Sequence, residues 1–228
     1  MSFTDELGKQ VLILDGAMGT MVQNLGLTDA AFGGPEFKML TDLLVFSRPD
    51  DLEGIHLEYL QAGANLIETD TFGASPLRLK EFDFSKFDPS DLKAIPSQLD
   101  IKTCSLESLA RELNIEGCRI AKRAVKKYCA QSDYDGRPIF VTGSIGPSNY
   151  VVSSTQANLN KGTFDQIVEN FYHQVCGLIE GGADVLLIET QQDILETKAI
   201  VEGANKAFAE KKTKLPMIVQ ATVDVFSK

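Results

Sequence analysis

The sequence predicts an α/β protein built on a parallel sheet, because short apolar segments alternate along it with longer amphipathic ones. The apolar segments carry continuous hydrophobic residues, as strands buried on both faces do. A second observation is a pattern that occurs twice, in QAGANLIETDTF (61–72) and EGGADVLLIETQQ (180–192). Each copy covers the end of a predicted helix and then a predicted strand, which is followed by Glu-Thr. Repeated βα units of this kind are typical of an α/β barrel or of an open doubly wound sheet.

Five strands are predicted from the apolar segments, at residues 11–14, 65–67, 139–141, 184–188 and 217–219. Recognisable helix ends separate them. Pro49 suits the first turn of a helix, Thr163 with Gln166 forms a capping-box pattern, and Gly181-Gly182 suits a helix end that needs a left-handed residue. The spacing therefore predicts helical crossovers between the strands.

Residues 81–105 interrupt this alternation. The segment EFDFSKFDPSDLKAIPSQLDIKTCS is rich in Asp, Ser and Pro and carries scattered aromatic residues. It fits an ordered insertion or lid after the second strand, and the favoured interpretation is a surface excursion without a catalytic role.

Composition excludes several classes of function. The chain has 228 residues and a net charge of -10, which disfavours nucleic acid and anionic membrane as partners. The polar, acidic start MSFTDELGKQ is no signal peptide, and no apolar run approaches the roughly 18 residues of a membrane span. The four cysteines form no CxxC pair and fit packed, reduced thiols. The sequence therefore predicts a cytoplasmic protein.

Polar residues end four of the predicted strands: Asp15, Glu68-Thr69-Asp70, Thr142-Gly143-Ser144 and Glu189-Thr190. In a barrel these strand ends converge on one mouth, where ligands bind. Carboxylates placed there could hold a substrate ammonium, act as acid or base, or bind a metal. A single carboxylate could instead accept hydrogen bonds from neighbouring backbone amides.

The glycines that follow Asp15 suggest an anion site. Glycine permits close backbone approach, so successive N–H groups of Gly16, Ala17 and Gly19 can converge on an anion. The stretch GAMG is not GxGxxG and no P-loop lysine follows it, so a small carboxylate fits better than a nucleotide phosphate. Asp15 would then take the ammonium of an amino acid and the amides its carboxylate. A tight βα turn would also need these glycines.

Four ordered motifs carry a family resemblance: LDGAMGT (14–20), ETDTFGAS (68–75), TGSIGPSN (142–149) and IET (188–190). Together they resemble the homocysteine S-methyltransferase family, most closely the N-terminal homocysteine-binding domain of cobalamin-dependent methionine synthases. The resemblance implies an incomplete TIM (β/α)8 barrel with about five parallel strands and helical crossovers. It covers residues 1–228 as one C-terminally incomplete domain, with 81–105 as an insertion within it.

The resemblance also implies a homocysteine site at the barrel mouth. Asp15 and Glu189 would hold the substrate ammonium, and the backbone around GAMG and TDTF would surround its carboxylate. The implied substrate-binding residues are Asp15, Gly16, Ala17, Thr71, Phe72, Ser144 and Glu189.

Family members activate the homocysteine thiol on zinc held by three cysteines, one in an Asn-Cys pair and two adjacent. This sequence has neither Asn-Cys nor Cys-Cys. We therefore expect the family ligands beyond Lys228, no metal ligands and no catalytic residues within the chain, and no activity from the isolated 228 residues. Cobalamin and methyltetrahydrofolate would bind through folate and cobalamin domains absent here.

The implied function is an S-methyltransferase. A methyl group would pass from methyltetrahydrofolate through methylcobalamin to the homocysteine thiol, giving methionine. Two alternatives stay open, a thiol methyltransferase of the same superfamily with another donor or acceptor, and a non-catalytic truncated fragment.

Overall fold

The computed structural model describes residues 2–153 and 160–223, and its centre is a single parallel sheet. The strands are β1 (Leu66–Glu68), β2 (Phe140–Ile145), β3 (Val185–Gln191) and β4 (Met217–Ala221). They lie in the order β1-β2-β3-β4, and every neighbouring pair is parallel. A sequential order is what a barrel segment requires, whereas a doubly wound sheet reverses its order, so the predicted fold class is confirmed.

Four of the five predicted strands form, and the segment at 11–14 pairs only through a single bridge. Leu14 bridges Leu66, and the N–H of Asp15 donates to the Leu66 carbonyl at 3.0 Å. The side chain of Val11 is 87% exposed. Leu12 and Leu14 pack against the apolar cluster that contains Leu66, whereas Val11 and Ile13 are exposed, and the pairing of the segment with β1 stays short.

Eight α-helices occur among the described residues. They are α1 (Phe3–Leu7), α2 (Met18–Asn24), α3 (Leu44–Ser47), α4 (Pro49–Gln61), α5 (Pro76–Leu79), α6 (Leu106–Cys129), α7 (Phe164–Gly181) and α8 (Ile194–Lys211). Short 3-10 turns lie at Asp29–Phe32, Pro35–Phe37, Thr41–Leu43, Phe84–Lys86 and Pro89–Asp91. The predicted capping box of Thr163 and Gln166 is present, and Gly182 ends α7 with a φ of 91°. These local sequence signals therefore placed the helix ends correctly.

The long helices α4, α6, α7 and α8 pack in that order, each against the next. Two glycines allow close approach. An added Cβ at Gly177 of α7 would lie 2.6 Å from the Arg111 carbonyl of α6, and one at Gly203 of α8 would lie 2.6 Å from the Val168 carbonyl of α7. Such distances are too short for any side chain, so these glycines set the spacing of the helices.

A smaller apolar cluster joins the first three strands to the N-terminal helix. Leu66, Phe140 and Val185 come from β1, β2 and β3, and Phe3 of α1 packs with them. The rings of Phe3 and Phe140 meet edge to face with centroids 5.6 Å apart. Helix α1 therefore joins this cluster through Phe3, which contacts Phe140 of β2.

Residues 81–105 contribute side chains to an apolar cluster that also contains Phe37, Leu44 and Phe46. Phe84 and Phe87 surround the buried ring of Phe37 with centroid distances of 5.4 Å each, and Phe82 stacks on it at 5.9 Å. Gly33 leaves room for Phe87, because a Cβ there would lie 2.0 Å from the ring. The segment thus supplies core aromatics.

Across the residues that the structure describes, every helix is too short or too polar to cross a membrane.

Candidate functional site

The site lies where β1, β2 and β3 end, and Asp15 is its first member. The Asp15 carboxylate accepts a hydrogen bond on Oδ2 from the backbone N–H of Glu68, at 2.9 Å. Its other oxygen, Oδ1, is buried and has no hydrogen-bond partner among the described residues. Oδ2 therefore fixes this segment to the end of β1, and Oδ1 is the oxygen that could accept a hydrogen bond from a ligand.

Glu189 reaches the same region from β3. The Ser144 hydroxyl on β2 donates to Glu189 Oε1 at 2.5 Å. The pairing of β3 with β4 shifts register between Ile188 and Gln191, and Thr190 has a φ of 59°. A β-branched residue rarely adopts this conformation, so the backbone at the end of β3 is strained beside a candidate site.

Glu68 is a third carboxyl group in this cluster, and sequence reasoning did not select it as a binding residue. It is the last residue of β1, and its side chain is partly buried. Burial raises the pKa of its carboxyl group, and repulsion from Glu189 and Asp15 raises that pKa further. The signal that could have identified it was its place at a strand end next to Thr69.

The pKa values of Asp15, Glu68 and Glu189 are all raised above those of isolated acids. Burial, with repulsion from Glu189, raises the pKa of Asp15 to about 7. Burial, then repulsion from Glu189 and Asp15, raises the pKa of Glu68 to about 8. Burial also raises the pKa of Glu189. Burial and mutual repulsion therefore both disfavour the ionised forms of these acids, and such an environment is suited to a cation.

Gly16 and Ala17 present backbone on the other side of Asp15. Both residues are exposed, and no acceptor among residues 2–153 and 160–223 takes their N–H groups. The Tyr59 hydroxyl donates to the Ala17 carbonyl at 3.3 Å, and a Cβ at Gly16 would lie 3.1 Å from that hydroxyl. The turn therefore holds two amide donors beside a carboxylate, as an amino acid's two charged groups require.

Thr71 and Phe72 have different surroundings. Thr71 is fully buried, its N–H donates to the Thr69 carbonyl and its hydroxyl donates to the Ser144 carbonyl, each at 2.9 Å. Phe72 is 43% exposed, and its carbonyl accepts from the Gly146 N–H at 3.0 Å. Thr71 thus ties β1 to β2, whereas the Phe72 ring is available to a ligand.

Two acidic residues near the start of α8 fix the loop that follows β2, and the sequence analysis had not selected either of them. Glu196 accepts from the Ser148 N–H at 2.7 Å and from its hydroxyl at 2.6 Å. Asp193 accepts from the Val152 N–H at 2.9 Å while it caps α8. The TGSIGPSN loop is therefore anchored to a helix rather than free.

A second pair of carboxyl groups lies beneath the loop that carries Phe72. Asp42 accepts from the Gly73 N–H at 2.8 Å, and Asp70 accepts from the Thr41 hydroxyl at 3.3 Å. Both are buried, and burial raises the pKa of Asp42 to about 6 and that of Asp70 to about 8. Repulsion from Asp42 adds to the shift at Asp70.

The cysteines do not fit the zinc site that the family resemblance implies. Cys118 is buried in α6 with its thiol 3.6 Å from the Leu178 carbonyl, and burial raises its pKa to about 12. Burial also raises the pKa of Cys176 and of Cys104. Zinc needs thiolates grouped around one point, and the described residues contain no cluster of three candidate ligands.

Comparison with known proteins gives a family and a fold. A family model described as homocysteine S-methyltransferase matches residues 12–227. The structure is similar to the homocysteine methyltransferase MmuM of Escherichia coli in its metallated form, with a TM-score of 0.65 and 21% identity, covering 92% of this chain and 64% of that one. The apo form of MmuM gives a TM-score of 0.60 at 23% identity, covering 95% and 62%. At such identities the likeness shows the fold alone, and the chain spans less than two thirds of these proteins.

Proposed function

The chain belongs to the homocysteine S-methyltransferase family, and on that premise we propose that its strand ends bind homocysteine for methylation at the thiol. One observation supports this most directly. Asp15 keeps a buried oxygen that has no partner among the described residues, directly beside the exposed backbone of Gly16 and Ala17. An α-amino acid carries its ammonium and its carboxylate on one carbon, so it needs an acceptor and a donor group this close together.

Each predicted residue has a role in this proposal. Asp15 and Glu189 accept hydrogen bonds from the ammonium, and Ser144 orients Glu189 through its 2.5 Å hydrogen bond. The N–H groups of Gly16 and Ala17 donate to the substrate carboxylate. Thr71 holds Phe72 in place at the edge of the site. These residues bind and orient the substrate.

Thiol activation is a separate requirement. A free thiol is mostly protonated at neutral pH, and the thiolate is the nucleophile. The described cysteines do not fit zinc, so we assign no activation step to them. We propose that the 228-residue chain supplies substrate binding without turnover. In the complete enzyme, methyl transfer from methyltetrahydrofolate through methylcobalamin, on folate and cobalamin domains, would give methionine.

Titration calorimetry with homocysteine and two truncated analogues tests the binding proposal. We use protein from the complete reading frame, with a reductant present. Removing the substrate ammonium (a mercaptobutanoate) or its carboxylate (an aminopropanethiol) removes a charge-assisted hydrogen bond, so each analogue should bind at least about tenfold more weakly. Equal affinity for homocysteine and the mercaptobutanoate would refute an ammonium site at Asp15 and Glu189. A much tighter complex with a different thiol would identify another acceptor.

A further inference from the structure

Gln174 of α7 is fully buried, and its side-chain amide reaches the backbone at the ends of two strands. Its Nε2 group donates to the Thr71 carbonyl, in the loop that follows β1, at 2.8 Å. The same group donates to the Ser144 carbonyl of β2 at 3.3 Å. The Thr71 hydroxyl donates to that Ser144 carbonyl as well, at 2.9 Å. One helix side chain therefore ties together two backbone segments that carry predicted binding residues.

The partners of this amide fix its orientation. Both partners are carbonyl oxygens, which only accept hydrogen bonds, so the NH2 group of Gln174 must face them. The amide oxygen of Gln174, Oε1, is buried and has no partner among the described residues. A buried amide oxygen without a partner costs free energy. Gln174 thus satisfies the two strand-end carbonyls while its own oxygen stays unpaired, an arrangement that stability alone does not favour.

We infer that Gln174 is a positioning residue for the homocysteine site and acts through Ser144 and Thr71. This inference rests on the proposed function and adds a residue to it. The Ser144 hydroxyl donates to Glu189 at 2.5 Å, so the place of the Ser144 backbone decides where the Glu189 carboxyl group is held. Phe72 follows Thr71 directly in the chain, so the Thr71 backbone decides where the exposed ring starts. Because Gln174 is fully buried, it acts through these residues rather than on the substrate.

A second buried amide on the same helix provides a matched control. Asn170 lies about one helical turn before Gln174 on α7 and accepts from the Leu77 N–H of α5 at 2.7 Å. Among the described residues, the Asn170 side chain makes no hydrogen bond with Thr71 or Ser144. Both amides therefore join α7 to the chain that follows β1, but only that of Gln174 contacts the strand ends that carry the site.

Gln174→Met and Asn170→Leu, each in protein from the complete reading frame, compare the two amides by titration calorimetry with homocysteine. Methionine keeps the length of the glutamine side chain and removes its donors, so packing is largely preserved while the two carbonyls lose a hydrogen bond. The affinity of Gln174→Met for homocysteine should fall by about tenfold or more. Asn170→Leu also loses a buried hydrogen bond, and its affinity should stay within about twofold of the wild type.

Discrimination between two ligands separates positioning from a loss of stability. The wild type should bind homocysteine at least about tenfold more tightly than the mercaptobutanoate that lacks the ammonium. In Gln174→Met this ratio should fall to about threefold or less, because Glu189 is no longer held for the ammonium. In Asn170→Leu the ratio should keep its wild-type value. Denaturant titration measures how much stability each variant has lost.

Gln174→Glu adds a readout that depends on pH. A protonated carboxyl group keeps one donor for the two carbonyls, whereas the ionised form has none and faces two oxygens. Burial and these oxygens favour the protonated form, so the introduced acid should have a pKa above the usual value of about 4.3. Its homocysteine affinity, divided by that of the wild type at the same pH, should therefore fall as pH rises from about 5 to about 9.

The outcomes are distinct. A wild-type ligand ratio in folded Gln174→Met would overturn the positioning role and leave the proposed function standing. An equal loss of affinity in Asn170→Leu would do the same, since both amides would then act through stability. If Gln174→Met does not fold, a relative affinity of Gln174→Glu that is constant with pH would overturn the role, and so would failure of both variants to fold. A wild-type protein that does not bind homocysteine would overturn the proposed function and, with it, this inference.

Discussion

Asp15 combines two tasks in one side chain. Oδ2 fastens the segment after the Leu14 bridge to the end of β1, through the Glu68 N–H. Oδ1 stays buried and unpartnered among the described residues. Leaving a buried carboxylate oxygen unpaired costs free energy. In native proteins such an oxygen often receives its missing hydrogen bond from a ligand. The position is therefore better explained by binding than by folding alone.

Asp15→Asn should weaken homocysteine binding by roughly 10- to 150-fold. The amide keeps the shape of the side chain and removes its charge, so a charge-assisted hydrogen bond of about 1.5–3 kcal/mol is lost. Titration calorimetry on the folded variant measures the change. Asp133→Asn, at an exposed position, is the matched control and should leave affinity unchanged. Wild-type affinity in Asp15→Asn would mean that this carboxylate is structural.

Glu189→Gln should act similarly, and the double variant with Asp15→Asn should be non-additive. In the proposed site both groups contact one ammonium, so removing the second group after the first should cost less affinity than removing it alone. A double-mutant cycle by calorimetry measures the coupling. Strict additivity would show that the two carboxylates act at separate places, which would contradict a shared ammonium.

The buried pair of Asp42 and Asp70 predicts how stability depends on pH. Their pKa values are raised to about 6 and about 8, so the folded state binds more protons than the unfolded state above about pH 4. The free energy of unfolding should therefore fall as pH rises through this range. Asp70→Asn removes one titrating group, keeps an acceptor for Thr41, and gains an N–H that can face Asp42.

Asp70→Asn should accordingly melt above the wild type at about pH 8, with a difference of about 1 kcal/mol or more, or roughly 2–4 °C. The difference should shrink towards about pH 5, where the wild-type pair is protonated. Differential scanning calorimetry across pH measures both values. Parallel pH profiles for the two proteins would show that Asp70 is not protonated in the fold.

At the scale of elements, the helix layer depends on glycine contacts. Gly177 of α7 faces backbone of α6, with its added Cβ 2.6 Å from the Arg111 carbonyl and 2.8 Å from Asn114 Cβ. Gly54 in the middle of α4 has open space around it. The same substitution should thus have opposite effects at the two positions.

Gly177→Ala should destabilise the protein by about 1–3 kcal/mol, because the added methyl group forces α7 away from α6. Gly54→Ala should stabilise it by up to about 1 kcal/mol, because alanine favours the helix more than glycine does. Denaturant titration of both variants measures the contrast. A stable Gly177→Ala would show that the helices can separate without cost.

The sequence predicted best those elements whose signals are local. Continuous apolar runs marked β2 and β3, and the capping box marked the start of α7. The segment at 11–14 has the same apolar run, but a strand also needs partners, and among the described residues this segment pairs only with Asn65 and Leu66. Pairing depends on tertiary context that composition does not contain.

The same contrast between local signals and tertiary context applies to the candidate site. Strand-end position identified Asp15, Ser144 and Glu189. Ser144 donates to Glu189, and Glu189 lies close enough to Asp15 to raise its pKa by repulsion, in addition to burial. It did not single out Glu68 from Glu68-Thr69-Asp70, because periodicity alone does not tell which of these carboxyl groups is repelled by Glu189 and which is repelled by Asp42. Asp193 and Glu196 were missed because helix-start acids are usually simple caps.

At the scale of the whole molecule, the sheet has two edges with apolar side chains in solvent. Segment 11–14 borders β1, and β4 lies at the other end of the sheet. Val11 is 87% exposed and Val219 of β4 is 49% exposed. Exposed apolar edge strands offer unpaired N–H and C=O groups to other chains. The net charge of -10 opposes association only through long-range repulsion, which salt screens.

The isolated 228-residue chain should therefore self-associate, increasingly so at higher salt. Light scattering against concentration measures this. Val11→Lys and Val219→Lys together should lower the association, because charged residues on an edge disfavour pairing with a second chain. Ile194→Lys is the matched control, since Ile194 is 72% exposed at the start of α8 and belongs to neither edge segment, and its replacement should change little. A monodisperse wild-type monomer with a cooperative melt would contradict the prediction. If Ile194→Lys lowered self-association as much as the two edge substitutions do, added charge rather than edge pairing would control the association.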